Sequence, residues 1–147
     1  MAKQKGFTII ENVIVICIIA IVVAIAIPPY RKMGINGNLK AAARDMMSDF
    51  SFMRERAKSE NQNFSIAFHQ DNNNYAVPGV ANPKSPAYFS RDITITGTNF
   101  GATLTFQTRG TTSPPGDKTI TLANGLGSTA TITIGTVGRI YVSYTFN

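Results

Sequence analysis

Val13 to Ile27 is an unbroken run of apolar residues, and it restricts this chain more than any other feature of its sequence. A helix built from it has no polar stripe to turn toward water, so the run belongs in lipid, in a protein core or in a signal that is removed. Counted from Phe7 to Ile27 the segment is 21 residues, about 30 Å as a helix, which is enough to cross a bilayer core. Read as an anchor, Lys3 and Lys5 would hold the leader in the cytoplasm and leave the C-terminal bulk outside. Read as a secretory signal, the same stretch has a basic start, an apolar middle and a small-x-small site at Ala24-Ile25-Ala26. Neither reading accounts for Glu11, whose carboxylate near the start of a spanning helix costs about 2–3 kcal/mol unless it is partnered.

The stretch Gly6-Phe7-Thr8-Ile9-Ile10-Glu11 resembles the prepilin signature of type IV pilin-like proteins. The resemblance implies a cut between Gly6 and Phe7 by a prepilin peptidase on the cytoplasmic side, N-methylation of Phe7, and a filament-assembly role for Glu11. The apolar helix is then kept. The implied partners are other pilin or pseudopilin subunits, the peptidase, an inner-membrane assembly platform and membrane lipid. Simple physics agrees with this. After cleavage Phe7 carries a free amine, and Glu11 lies one helical turn away on the same face. Inside a filament both charges leave water, so the acid needs that amine or a neighbouring subunit's. A carboxylate there also sits at the positive end of the helix dipole.

Pro28-Pro29 closes the apolar run, and proline removes a backbone donor and clashes with the preceding turn, so a kink is expected at Pro28. In pilins a proline at this position commonly bends the long helix. Gly34 and Gly37 extend the weak zone, so residues 28–38 read as a kink or linker, with a loop over Met33 to Asn38 and Asn38 as N-cap. Helical periodicity resumes over residues 39–60. Leu39, Ala43, Met46, Phe50, Met53 and Ala57 alternate steps of four and three and share one face. Beyond Asn61 the period is two: Ile66 and Phe68, Ile93 and Ile95, Leu104 and Phe106, Ile120 and Leu122, Ile132 and Ile134, Ile140 and Val142 each alternate with polar or small residues. Asp71-Asn72-Asn73-Asn74 reads as a hairpin turn. The proline-containing stretches 81–86 and 111–116 read as loops. The expected fold is α+β. A long N-terminal spine helix, transmembrane in its first half (7–27) behind a cleaved leader (1–6), packs its amphipathic second half on a C-terminal antiparallel β domain (61–147).

Charge and rare residues narrow the chemistry. The net charge is +6, but from Asn61 to Asn147 there are only Lys84, Arg91, Arg109, Lys118 and Arg139 against Asp71, Asp92 and Asp117, with no basic cluster. A solvated surface is favoured over a nucleic-acid face. Cys17 is the only cysteine, so no internal disulfide forms, and with His69 the only histidine no zinc site is built. No nucleophile–base–acid set and no phosphate loop is present, so neither an enzyme nor a cofactor is expected.

The order of a spine helix ending near Glu60, many short strands, Phe106-Gln107-Thr108-Arg109-Gly110 and a late Gly138-Arg139 before an apolar strand resembles the GspH/FimT type of minor pilin or pseudopilin. That resemblance implies a structural subunit of a type IV pilus or a type II secretion pseudopilus. It would be inserted once in the bacterial inner membrane, its C-terminal domain outside the cytoplasm, before entering a periplasmic or extracellular filament. Some members of the group bind DNA during uptake through a Gly-Arg-x-Arg pattern. The matching stretch here is Gly138-Arg139-Ile140-Tyr141, with tyrosine in place of the second arginine. Arg139, Arg109 and Tyr141 are therefore the candidate DNA contacts of an alternative, a competence-pilus subunit. The glycines at both turns also fit ordinary turn chemistry.

Overall fold

The computed structural model describes residues 8–147, apart from the side chain of Pro28. The chain divides into two compact units, residues 1–34 and 35–147. Helix α1 spans Ile9–Ser59 and so contributes to both.

In the first unit α1 starts from Thr8, whose hydroxyl accepts the Glu11 N–H at 3.3 Å while its carbonyl accepts the Asn12 N–H at 3.2 Å. This is an N-cap: the side-chain oxygen satisfies one of the four N–H groups that a helix start leaves without partners. Every isoleucine and valine from Ile9 to Ile27 is exposed. Among the described residues α1 is the one helix long and apolar enough to cross a membrane.

The loop expected over Met33 to Asn38 does not form. Helical structure continues through Pro28, Pro29, Gly34 and Gly37, and Asn38 lies in mid-helix rather than at a cap. Each proline removes one backbone donor and a glycine costs a helix about 1 kcal/mol, losses that the packing of neighbouring turns can offset. One offset is visible. The Asn36 carboxamide oxygen accepts from Asn124 Nδ2 at 3.0 Å, docking a residue of the supposed loop on the β domain.

In the second unit the predicted stripe is the buried one: Leu39, Ala43, Met46, Phe50, Met53 and Ala57 are fully sealed. They share a single core with Ile66, Phe68, Leu104, Phe106, Ile120, Leu122, Ile132 and Ile134, the inward sets of the alternating strands. Phe50 meets the edge of Phe68 at 6.2 Å, and Phe68 stacks on Tyr75 at 5.8 Å. Burial of each large side chain contributes about 1.5–3 kcal/mol, so this stripe is the chief attachment of helix to sheet.

The strands are β1 (Phe64–His69), β2 (Asn74–Ala76), β3 (Thr94–Thr98), β4 (Thr103–Phe106), β5 (Thr112–Ser113), β6 (Lys118–Ala123), β7 (Thr129–Ile134) and β8 (Ile140–Thr145). They form two four-stranded antiparallel sheets, ordered β2-β1-β4-β5 and β3-β6-β7-β8. His69 ends β1, and the 70–74 segment turns the chain into β2 through Asn73, whose φ of 49° is a left-handed conformation asparagine tolerates. The Asn73 side chain then does a strand's work on the other sheet. Its Nδ2 donates to the Ile93 carbonyl at 2.7 Å, and its Oδ1 accepts from the Ile95 N–H at 2.8 Å, capping the outer edge of β3.

Candidate functional site

Two places carry the residues that the sequence singles out. The first is the start of α1. Gly6 and Phe7 lie outside the described residues, so their geometry stays an expectation. Glu11 is exposed in the first turn, with its N–H held by Thr8. Thr8-Ile9-Ile10-Glu11 has the threonine-x-x-glutamate spacing of a capping box, a helix-start signal that the sequence reading missed. It fixes where the helix begins relative to Glu11, and an acid in the first turn sits at the positive end of the helix. Pro28, the expected kink, lies inside helical backbone.

The second place is a meeting of turns. Gly110 and Gly138 are both buried at φ +77°, a region that favours glycine. A Cβ on Gly138 would overlap the Gly110 carbonyl oxygen. The glycines of the two Arg-Gly motifs are thus required by backbone conformation and by close approach of two turns, and the flanking Arg109 and Arg139 are exposed. The contact extends to α1: Arg54 Nε donates to the Gly110 carbonyl at 3.3 Å, and a Cβ on Gly110 would touch Lys58. The fold therefore gathers Arg54, Lys58, Arg109 and Arg139 where the sequence shows only scattered charges. Glu55 partly offsets them, 3.6 Å from Arg54 and 3.1 Å from Lys58. Tyr141, half-exposed, sits on β8 opposite Thr133, on a face otherwise lined by Thr and Ser.

Sequence reading also missed a polar cluster that holds the segment after β2 to α1. Lys84 Nζ lies 2.8 Å from Asp45 and 2.7 Å from Asp49, and Tyr75 donates its hydroxyl proton to Asp49 at 2.8 Å. Burial pulls the Lys84 ammonium down, but the two carboxylates outweigh it and its pKa is raised. Burial, followed by the bond to Asp49, pushes the Tyr75 phenol up.

Residues 1–27 match the model of the prokaryotic N-terminal methylation motif, and residues 42–138 match that of type II transport protein GspH. The chain belongs to the GspH family. The fold agrees. The type IV minor pilin FimU of Pseudomonas aeruginosa superimposes with a TM-score of 0.59 at 21% identity, over 74% of this chain and 90% of FimU. The minor pseudopilin EpsH from the type 2 secretion system of Vibrio cholerae gives 0.57 at 11% identity, over 72% and 96%. Prepilin peptidase-dependent protein D of Escherichia coli K12 is 52% identical over 50 residues, 34% of this chain, and the match spans 32% of that protein's length. The GspH-family match takes in α1 from Ala42 onward and β1 to β7.

Proposed function

We propose that this GspH-family chain is a structural minor pilin or pseudopilin. It is cut between Gly6 and Phe7 by prepilin peptidase, N-methylated at Phe7 and held in the bacterial inner membrane by α1. From there it is assembled with other pilin-like subunits into a type IV pilus or a type II secretion pseudopilus. The observation that carries this reading is a methylation motif set on a helix that keeps its whole apolar surface exposed, ahead of a GspH-family domain. Lipid before assembly, and neighbouring helices after it, are the partners such a surface requires. Glu11 would pair with a Phe7 amine when both leave water, and Pro28 would bend the helix inside the filament. Intact-mass measurement of protein from the native host tests the reading. The expected mature chain starts at Phe7 with one added methyl, and a start at Ile27 would sink it. The Glu11→Leu variant should insert in the membrane as well as wild type but enter filaments poorly.

The abutting turns favour one secondary reading, DNA binding by residues 35–147, the outer domain in this reading. Arg109 and Arg139 flank glycines in contact, with Arg54 and Lys58 behind them, a placement suited to phosphate. It ranks second because Glu55 pairs with two of the four cations. Arg139→Ala, tested at two salt concentrations, should lower the salt slope of any binding by about one unit. No detectable binding at low salt removes this reading.

A further inference from the structure

Among the described residues the outer domain has four sheet edges, and three are blunted. The β3 edge is capped by the Asn73 carboxamide and bent by a register shift between Ile95 and Gly97. The β2 edge is engaged by the bridge from Tyr75 to Lys84. The β5 edge is two residues long and runs into Pro114-Pro115. These are the ordinary devices that stop sheets from pairing with other chains. β8 has none of them. It is six residues long and pairs only with β7, and no hydrogen bond among the described residues engages its outer edge. Residues 140–147 contain no charge, proline or glycine, and they are dominated by β-branched and aromatic side chains. An unprotected edge of that composition is a template for another strand.

The surroundings specify the strand's chemistry. Tyr144 and Phe146 stack at 5.6 Å, and the Lys40 ammonium of α1 lies 4.9 Å from the Phe146 ring centre. Arg44 is one turn further along the same helix face, and Arg139 stands at the start of β8. All three are exposed, and none forms an ion pair among the described residues. We propose that the outer edge of β8 binds an extended segment of a partner polypeptide by strand addition, and that this segment is β-prone and acidic at its ends. The main-chain ladder gives affinity, and Lys40, Arg44 and Arg139 give preference for the acidic ends.

The test uses the full-length protein in detergent micelles, with hydrogen–deuterium exchange read at residues 140–145. The probe is a peptide of about eight residues, an ordinary strand's length, alternating Val and Thr with Glu at both ends. It should slow exchange in β8 by about tenfold or more. A version with a central Pro should give no slowing, and a version with Lys at the ends should bind at least about tenfold more weakly, a difference of 1.4 kcal/mol. The double variant Lys40→Glu, Arg139→Glu should reverse the preference between acidic and basic ends. Because those side chains are exposed, its melting temperature reports whether the fold survives. Four results would overturn the proposal: no slowing at saturating acidic peptide, equal slowing by the Pro peptide, equal slowing by duplex DNA, or slowing that rises with protein concentration alone. The last would mean that β8 pairs with a second copy.

Discussion

From Ile9 to Ile27 every large apolar side chain of α1 is exposed, whereas from Leu39 to Ala57 the apolar positions of one helix face are sealed under the sheets. Both stretches are helical, and both are strongly apolar in part. What separates them is pattern. The first is apolar on all sides, so no single sheet could cover it, and nothing in the described residues does. The second gathers its buried apolar residues into one stripe, with Phe52 the exception that stays exposed, and leaves Arg44, Ser48, Ser51, Glu55 and Lys58 in water, so the chain's own β domain can satisfy it. One part of the helix is therefore built for partners outside the chain, the other for partners within it.

The hardest strike at that contrast is a pair of truncations. Phe50→Ala empties a fully buried site beside Phe68 and should cost the outer domain about 3–5 kcal/mol in denaturant unfolding. Ile18→Ala removes three carbons from an exposed site and should leave that transition within about 0.5 kcal/mol. If both variants lost the same stability, the division between the two stretches would be false.

Gly138→Ala should come next, at about 1–3 kcal/mol, because the new methyl meets the Gly110 carbonyl at a backbone angle that alanine resists. Gly101→Ala is the control. It too has positive φ, +80°, but open space around it, and it should lose less in the same measurement.

Lys84→Met leaves Asp45 and Asp49 without their shared cation and should cost about 1–2 kcal/mol at neutral pH. The pH dependence has a definite sign. The folded-state pKa of Lys84 is raised, so its contribution is complete below the ordinary lysine value and is lost as pH climbs through the folded one. Going up from neutral pH, the gap between wild type and Lys84→Met should therefore narrow only above the ordinary lysine value. A gap that closed on moving from pH 7 to pH 9 would contradict the ion-pair account.

Legibility followed the range of the interaction. The stripe from Leu39 to Ala57 and the alternating strands are local periodicities, set by which face each residue shares; the stripe and the inward residues of β1, β4, β6 and β7 are buried, while Ile140 and Val142 of β8 are only partly so. The prepilin signature was readable because Gly6, Glu11 and the apolar run lie within one short window. Contacts across long sequence separations were not readable. Arg54 with Gly110, Lys84 with Asp45 and Asp49, and Asn36 with Asn124 join segments whose own neighbourhoods say nothing of each other. The gathering of cations around Gly110 and Gly138 was invisible for the same reason. At residues 33–38 local propensity pointed the wrong way. Two glycines suggested a loop, while helical turns on both sides and the Asn36 contact keep the backbone helical.

That disagreement yields the smallest but most pointed effect. Gly37 is helical, its φ is not in the left-handed region, and a Cβ built there meets nothing within 4 Å. Alanine should then remove unfolded-chain entropy without adding strain, raising the outer domain's stability by about 0.5–1 kcal/mol. In a loop left disordered in the folded state the same change would be close to neutral, and at a turn needing positive φ it would destabilise. Gly34→Ala provides the comparison, since Gly34 also has open space but belongs to the first unit. Its gain should be absent from the outer domain's transition and should appear, if anywhere, as added helicity by circular dichroism. Stabilisation by Gly37→Ala together with silence at Gly34 would place the boundary of the cooperative domain between the two glycines. A neutral Gly37→Ala would restore the loop, and with it a hinge between the stretch that partners cover and the stretch the chain covers itself.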